Sequence, residues 1–480
     1  MGKTASARPS KAFFVAMLTR DIELRDAVLD LIDNCIDGIQ RVIKEHRPND
    51  RNKPYAGFSA TLTISPKVFV IADNCGGIPR ETAEKYAFRL GRPKDFKEEH
   101  LPTVGLYGIG MKRAIFKIGR SCTVTTRHDE GGAYAVRIAP QWMDSDDDWD
   151  LPVNDVPNRK LPKNLIGRGK HGTVISVSRV HPAIAQEFDK QKSNFLETLQ
   201  NTIATHYSYI LQKGFSLTIN GDKVTPKTIG ILVSKENVGE ERIEPFIYEA
   251  KNAGVDIDLT VGFYRAMPND DEVQAEVEGR STSGSRDMCG WTIICNDRVV
   301  LYSDKTRLTG WGLATVPAYH PQFIAIAGIV RFRSNDVAKL PVTTTKRGIE
   351  ASSELYLAVR EVMQEGLKHF TNFTNHWKSH KEMRQRMMHE AKVVDPLKAA
   401  NAISTKRSDW TAVRKGLGGS KYVPSLPKPP RASETTKTIR FTKPIKEFHL
   451  VAEYLFDDKD TDPEKVGKEC FDRVLQRTKL

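Results

Sequence analysis

The sequence predicts an α/β protein built on a mixed sheet with helices over one face. Three observations carry that prediction. Leu24, Val28, Leu31 and Ile32 recur at helical spacing, with Ala27 and Cys35 between turns, and mark one amphipathic helix over residues 21–39. Short apolar runs at 60–64 and 68–72, joined by Ser65-Pro66-Lys67, mark a strand pair. Further along, strands and helices alternate without a regular βαβ repeat, which suggests a two-layer α/β sandwich.

The later elements follow in order. A loop rich in charge and glycine spans 90–110, and a helix begins near Met111. Strands are expected at 122–126, 133–138 and 173–177. A second α/β region covers 181–370, with strands at 216–219, 291–295 and 323–330. Asn220-Gly221-Asp222 reads as a hairpin turn. A long helical stretch starts near Ser352 and is expected to reach about Val394. From about 403 to 438 the composition shifts to Ser, Thr, Lys and Gly around KYVPSLPKPP, the pattern of a flexible linker. Helical periodicity returns at 447–456 and 465–475. The expected division is therefore 1–180, 181–370, a helix plus basic linker at 371–438, and a small helical unit at 439–480.

Hydrophobic residues make up 39% and charged residues 28% of 480, an ordinary globular balance. No apolar run is long enough to span a bilayer, so no membrane partner is expected. The six cysteines are scattered and form no C-x-x-C pair, which fits a reducing, cytoplasmic setting. The net charge is +13, and residues 371–450 hold 17 Lys and Arg against 6 Asp and Glu. The basic excess thus sits in one stretch, suited either to the phosphates of DNA or to a solvated linker.

Four motifs carry chemistry. In Asp30-Leu31-Ile32-Asp33-Asn34-Cys35-Ile36-Asp37, the residues Asp30, Asn34 and Asp37 line one helix face. A carboxylate there can deprotonate water, and an amide oxygen can hold Mg²⁺. In Ile71-Ala72-Asp73-Asn74-Cys75-Gly76-Gly77-Ile78-Pro79, a carboxylate follows an apolar strand and can accept from an exocyclic amine of a base. Its two glycines, Gly76 and Gly77, let the chain pass close to a flat ligand, which makes Gly77 and Ile78 candidate contacts. In Gly105-Leu106-Tyr107-Gly108-Ile109-Gly110-Met111-Lys112, glycines open a helix whose free N–H groups suit phosphate, and Lys112 adds charge. It is neither a Walker A loop nor a dinucleotide fingerprint. In His171-Gly172-Thr173, a hydroxyl enters a strand where it can face a bound base. Each motif alone is compatible with an ordinary helix face, turn or strand start.

Together, in this order and spacing, the four resemble the Bergerat fold of the GHKL ATPases. That family includes gyrase B subunits, ninety-kilodalton heat-shock chaperones, sensor histidine kinases, MutL and MORC proteins. The resemblance covers about the first 180 residues. It implies that Asp73 reads adenine with Thr173, that Asn34 holds Mg²⁺, and that Asp30 is the base. The loop from Leu90 to Gly110 would be the ATP lid, with Gly105, Gly108 and Gly110 cradling the phosphates and Tyr107, Ile109, Met111 and Lys112 as further nucleotide contacts. Asp30 stands where the family often has Glu, and Asp33 is a rival base expected on a different face. Cys75 replaces a usual glycine.

Too few residues precede the first motif for a histidine kinase's dimerisation helices. Residues 335–347 resemble the transducer loop of the chaperone, MutL and MORC members, which delivers a cation to the γ-phosphate. Lys346 is the first choice, with Lys339 and Arg347 as alternates. The resemblance implies slow ATP hydrolysis and an ATP-dependent homodimer, a clamp acting in bacterial defence or DNA repair. A chaperone-like or adaptor protein with a protein partner is the alternative.

Overall fold

The strand pair expected at the start of the sheet is present, and the rest of the first layer assembles on it. The computed structural model describes residues 10–46, 48, 50–89, 109–128, 132–146, 149–165, 170–234, 242–280, 288–343, 346–378, 380, 383, 387–388, 390–403, 410–414, 416–429, 439 and 441–478. The chain divides into two compact units, Met1–Lys428 and Pro429–Leu480.

The first unit opens with helices α1 (Lys11–Arg20) and α2 (Leu24–Glu45). Strands β1 (Ser59–Ser65) and β2 (Val68–Asp73) form an antiparallel pair. A short helix α3 (Arg80–Thr82) runs into a π turn, and α4 (Gly110–Ile118) leads into β3 (Gly119–Arg127). Then come β4 (Ala133–Ile138), α5 (Pro140–Asp144), β5 (Val153–Val156) and β6 (Gly172–Val180). Helices α6 (Pro182–Glu187), α7 (Phe195–His206) and α8 (Ser208–Gln212) precede the hairpin of β7 (Ser216–Ile219) and β8 (Asp222–Lys223). These eight strands form one sheet in the order β5-β4-β3-β6-β2-β1-β7-β8. Among the described residues of this sheet, β1 and β7 are the pair that runs parallel.

α2 lies on this sheet because its apolar residues fall on one side. Val28, Leu31, Ile32 and Ile36 pack with Ile115 and Ile118 of α4 and with Phe69, Ile71, Val124 and Val177 of the strands. Each such aliphatic side chain contributes about 1.5–3 kcal/mol when fully buried. The β7–β8 turn is the expected one. Asn220 and Gly221 take φ of +50° and +94°, the left-handed pair a tight hairpin needs.

The first layer extends beyond residue 180, where the motifs end. β7 pairs with β1, and Phe195, Leu199, Ile203, Leu217 and Val224 belong to the same core. The reason is geometric: β1 would otherwise be an open edge, and β7 covers it.

β9 (Ile231–Ser234) lies outside the second sheet, which is built from β10 (Phe246–Asn252), β11 (Val255–Phe263) and, after helix α9 (Asp270–Val277), β12 (Gly290–Cys295), β13 (Arg298–Asp304) and β14 (Ile326–Arg333). Helix α10 (Glu354–His376) packs against it through Tyr356, Val359, Met363, Leu367 and Phe370. The helix stops at His376, well short of Val394. Instead β15 (Ala391–Val394) pairs with β9. Strands β16 (Thr411–Ala412) and β17 (Ser420–Tyr422) complete a seven-stranded sheet, β13-β12-β14-β11-β10-β17-β16. The stretch expected to be a linker is therefore partly sheet. Its anchors are aromatic: Tyr422 is buried, and Trp377 Nε1 donates to Pro427 O at 2.9 Å.

The second unit holds the two expected helices, at Ile445–Phe456 and Pro463–Thr478, with Ala452 and Val466 buried. Among the described residues no helix is long and apolar enough to cross a membrane.

Candidate active site

Asp73 closes β2 beside the first residues of β6. Its Oδ1 accepts from the Cys75 N–H at 2.8 Å and the Thr173 N–H at 3.3 Å, and the Cys35 thiol of α2 lies 3.6 Å from its Oδ2. Burial pushes this carboxyl up to about 6, against the pull of those donors. Thr126, at the same end of β3, ties the corner together. Its hydroxyl accepts from the Ile78 N–H at 2.9 Å and lies 3.1 Å from the Thr173 hydroxyl. Gly77 has φ of +74°, and a Cβ there would sit 2.1 Å from the Arg127 carbonyl oxygen. No other residue fits that turn. Cys75 needs no such freedom, because Gly76 and Gly77 take both left-handed positions.

The other half of the site lies along α2. Asp30, Asp33 and Asp37 are buried, while Asn34 is exposed. A solvated helix face is thereby excluded for the three carboxylates. Asp30 Oδ2 is gripped by Arg113, through Nε at 2.8 Å and Nη2 at 2.6 Å. Lys346 Nζ lies 3.5 Å from Asp30 Oδ1 and 3.0 Å from Asp33 Oδ2. Asp33 Oδ1 accepts from Tyr207 Oη at 2.6 Å and Arg298 Nε at 3.0 Å, and the guanidinium stacks over the Tyr207 ring. Asp33 and Asp30 therefore share a cation. They are i, i+3 neighbours, not residues of separate faces. Burial alone would raise the Asp33 carboxyl, but Lys346, Arg298 and Tyr207 outweigh it and hold it below the usual range. The Lys346 ammonium is held up by Asp33, Asp30 and Asp37 against its own burial.

Lys346 sits in a loop closed by the Val342–Ile349 bridge, with φ of +58°. A left-handed lysine is uncommon and is retained where surrounding contacts fix it. The alternates go elsewhere. Arg347 pairs with Asp26 at the start of α2, and Lys339 donates to the Ala253 carbonyl.

At the start of α4, a Cβ on Gly110 would lie 3.2 Å from the Asp30 carboxyl carbon, so the helix N-terminus abuts that carboxylate. Ile109 precedes α4 as its cap, and Met111 packs on the first core. Lys112 is buried, with Nζ donating to Ala87 O at 2.9 Å. It lines a cavity of about 740 Å³ with Phe116, Trp142 and Trp149. The cation facing Asp30 is its neighbour Arg113, because i and i+3 from Gly110 share a face and i+2 does not. Gly105, Tyr107 and Gly108 lie outside the described residues.

The structure brings Asp30 to Lys346 and Asp73 to Thr173, residues the sequence pointed to, and adds Arg113, Thr126, Tyr207 and Arg298, which it did not point to. Arg113 had a signal in its spacing from Gly110; the others had none. Among the described residues no cluster of three His, Cys, Asp or Glu side chains could hold a metal ion. The exposed Asn34 amide suits Mg²⁺, which keeps several waters and takes few protein oxygens.

A family model described as histidine kinase-, DNA gyrase B-, and HSP90-like ATPase matches residues 22–173. The match spans α2, both carboxylate corners and the start of β6, and leaves the second sheet outside. No curated protein matches the chain.

Proposed function

We propose that residues 22–173, which match the GHKL-type ATPase model, bind ATP, and that the chain hydrolyses it slowly to drive a dimerising clamp. The observation that carries the proposal is the Lys346 bridge. A cation from the loop that follows β14 meets Asp30 and Asp33 on the helix that carries the base. Nucleotide bound at that helix would therefore change contacts with the second region directly.

In this reading Asp73 accepts from the adenine amine, with Thr126 and Thr173 fixing the corner around it. Gly110 presents the N-terminus of α4 to the phosphates, where N–H groups and the helix dipole favour anions. Asp30 takes a proton from water as the water oxygen bonds to the γ-phosphorus. The bond to the β,γ-bridging oxygen breaks, and its electron pair leaves on ADP. Lys346 stabilises charge on the transferred group. Asn34 would hold Mg²⁺, which neutralises phosphate charge when bound.

The target we propose is DNA. Lys378, Lys392, Lys398, Arg414 and Lys428 are exposed on the first unit, so part of the basic stretch is displayed on folded surface. Phosphate contacts of this kind weaken steeply with salt.

The test measures mass and turnover together. With a non-hydrolysable ATP analogue the chain should pair, and with ADP it should not. Asp30→Ala should stay paired with ATP and lose turnover by about 100-fold or more. The same mass in all nucleotide states would end the clamp reading. DNA binding absent even at low salt would direct the clamp to a protein partner instead.

A further inference from the structure

Each oxygen of the Asp30 carboxylate faces a cation. Both Nε and Nη2 of Arg113 hold its Oδ2, and Lys346 faces its Oδ1. The pair is secluded, with Asp30 and Arg113 side chains only 5% and 18% exposed. A water reaches that carboxylate only where a cation has moved aside. Turnover requires that a cation leave.

We propose that Arg113 is the residue that leaves, moving from Asp30 to the γ-phosphate of bound ATP. The inference rests on the ATPase reading and adds to it a guard on the base. Arg113 lies three residues into α4, whose first residue Gly110 abuts the same Asp30 carboxyl. Phosphate arriving at that helix end meets the guanidinium within its own reach. Guanidinium binds phosphate through two parallel hydrogen bonds, and the terminal phosphate carries more charge than one carboxylate. One exchange then does two things. It frees Asp30 to accept the water's proton, and it places positive charge on the phosphoryl group being transferred. ADP offers no γ-phosphate, so Arg113 stays on Asp30 and the base stays covered.

Lys346 is the less suited cation to move first. It is shared with Asp33, which is itself fixed by Tyr207 and Arg298. Arg113 has no such second anchor in its contact with α2.

The experiment uses the full chain with Arg113→Gln and Arg113→Lys. It measures affinity for ADP and for a non-hydrolysable ATP analogue, and kcat at saturating ATP. Arg113→Gln should leave ADP affinity within about twofold, lower analogue affinity about tenfold, and lower kcat by a similar factor. Arg113→Lys should fall between, because it keeps the charge without the fork. A residue that merely braces Asp30 would shift both nucleotides alike. An unchanged analogue-to-ADP ratio in both variants overturns the proposal, whatever happens to kcat. Wild-type chain that binds neither nucleotide would instead overturn the ATPase reading beneath it, and the guard with it. Should Arg113→Gln not fold, the ratio in Arg113→Lys decides.

Discussion

At the Asp73 end of the site, the carboxylate meets neutral hydrogen-bond donors: two backbone N–H groups and a thiol. At the Asp33 end, it meets Lys346, Arg298 and a tyrosine hydroxyl. The first carboxyl is raised to about 6, and the second is held below its ordinary value of 3.8. The same residue type, partly or fully enclosed, is thus poised for two tasks. One end keeps an acceptor that is costly to ionise and gains when a polar ligand donates to it. The other end balances fixed charges against one another, so that an arriving anion can redistribute them.

The largest expected effect comes from breaking the charged end. Asp33→Ala leaves Arg298 buried without its carboxylate and takes from Lys346 the nearer of its two partners. Breaking a buried pair in this way costs about 3–5 kcal/mol. Chemical denaturation should show that loss, whereas Asp73→Asn should cost far less stability, because its native carboxylate is already disfavoured by burial. Equal losses in the two variants would erase the distinction between the ends.

Next in size is the ligand side of the same contrast. Asp73→Asn should weaken ATP binding by about 1.5–3 kcal/mol, the usual worth of a hydrogen bond to a charged group. The pH dependence sharpens this. The folded pKa of Asp73 lies above 3.8, so folding favours its protonated form, and the ionised acceptor is present only above about pH 6. The affinity gap between wild type and Asp73→Asn should therefore open as pH rises from 5 to 7.5. The folded pKa of Asp33 is depressed, so its stabilisation is complete above 3.8 and is lost only as pH falls through the lower folded value. The stability loss of Asp33→Ala should be the same at pH 5 and 7.5. A gap that moves at the charged end and stays constant at the neutral end would invert the comparison.

What the sequence disclosed divides along the same line. Asp73 and Thr173 stand where strands end, and Asp30 and Asn34 stand one helical turn apart, so local pattern marks them. The charged network is not local. Arg113 reaches Asp30 across 83 residues and Arg298 reaches Asp33 across 265, and such pairs leave no periodic trace. The fold follows suit. β1, β2 and the β7–β8 turn were legible from alternation and turn chemistry. Residues 391–394 read as the end of a helix, yet pairing with β9, far away in sequence, makes them a strand. Tyr422 likewise reads as linker until its place beside β10 is known.

The smallest expected effect belongs to Thr126, and it tests whether the neutral end is built by geometry as well as by one carboxylate. Its hydroxyl accepts from the Ile78 N–H, and it faces the Thr173 hydroxyl and the Gly172 carbonyl. Thr126→Val keeps the shape and removes the oxygen. The Ile78 N–H loses its acceptor, and the Thr173 hydroxyl loses the partner that aims it. A neutral hydrogen bond contributes about 1 kcal/mol, which corresponds to roughly fivefold in ATP affinity. Thr126→Ser retains the oxygen and should bind as wild type does. Because Thr126 touches neither Asp30 nor Asp33, the ratio of ATP-analogue to ADP affinity should stay fixed in both variants. Titration of each variant with the two nucleotides measures all three expectations. A loss in Thr126→Val as large as that in Asp73→Asn would mean that the hydroxyl itself takes part in reading the base. A changed analogue-to-ADP ratio would mean that the two ends of the site are coupled through β3 and β6.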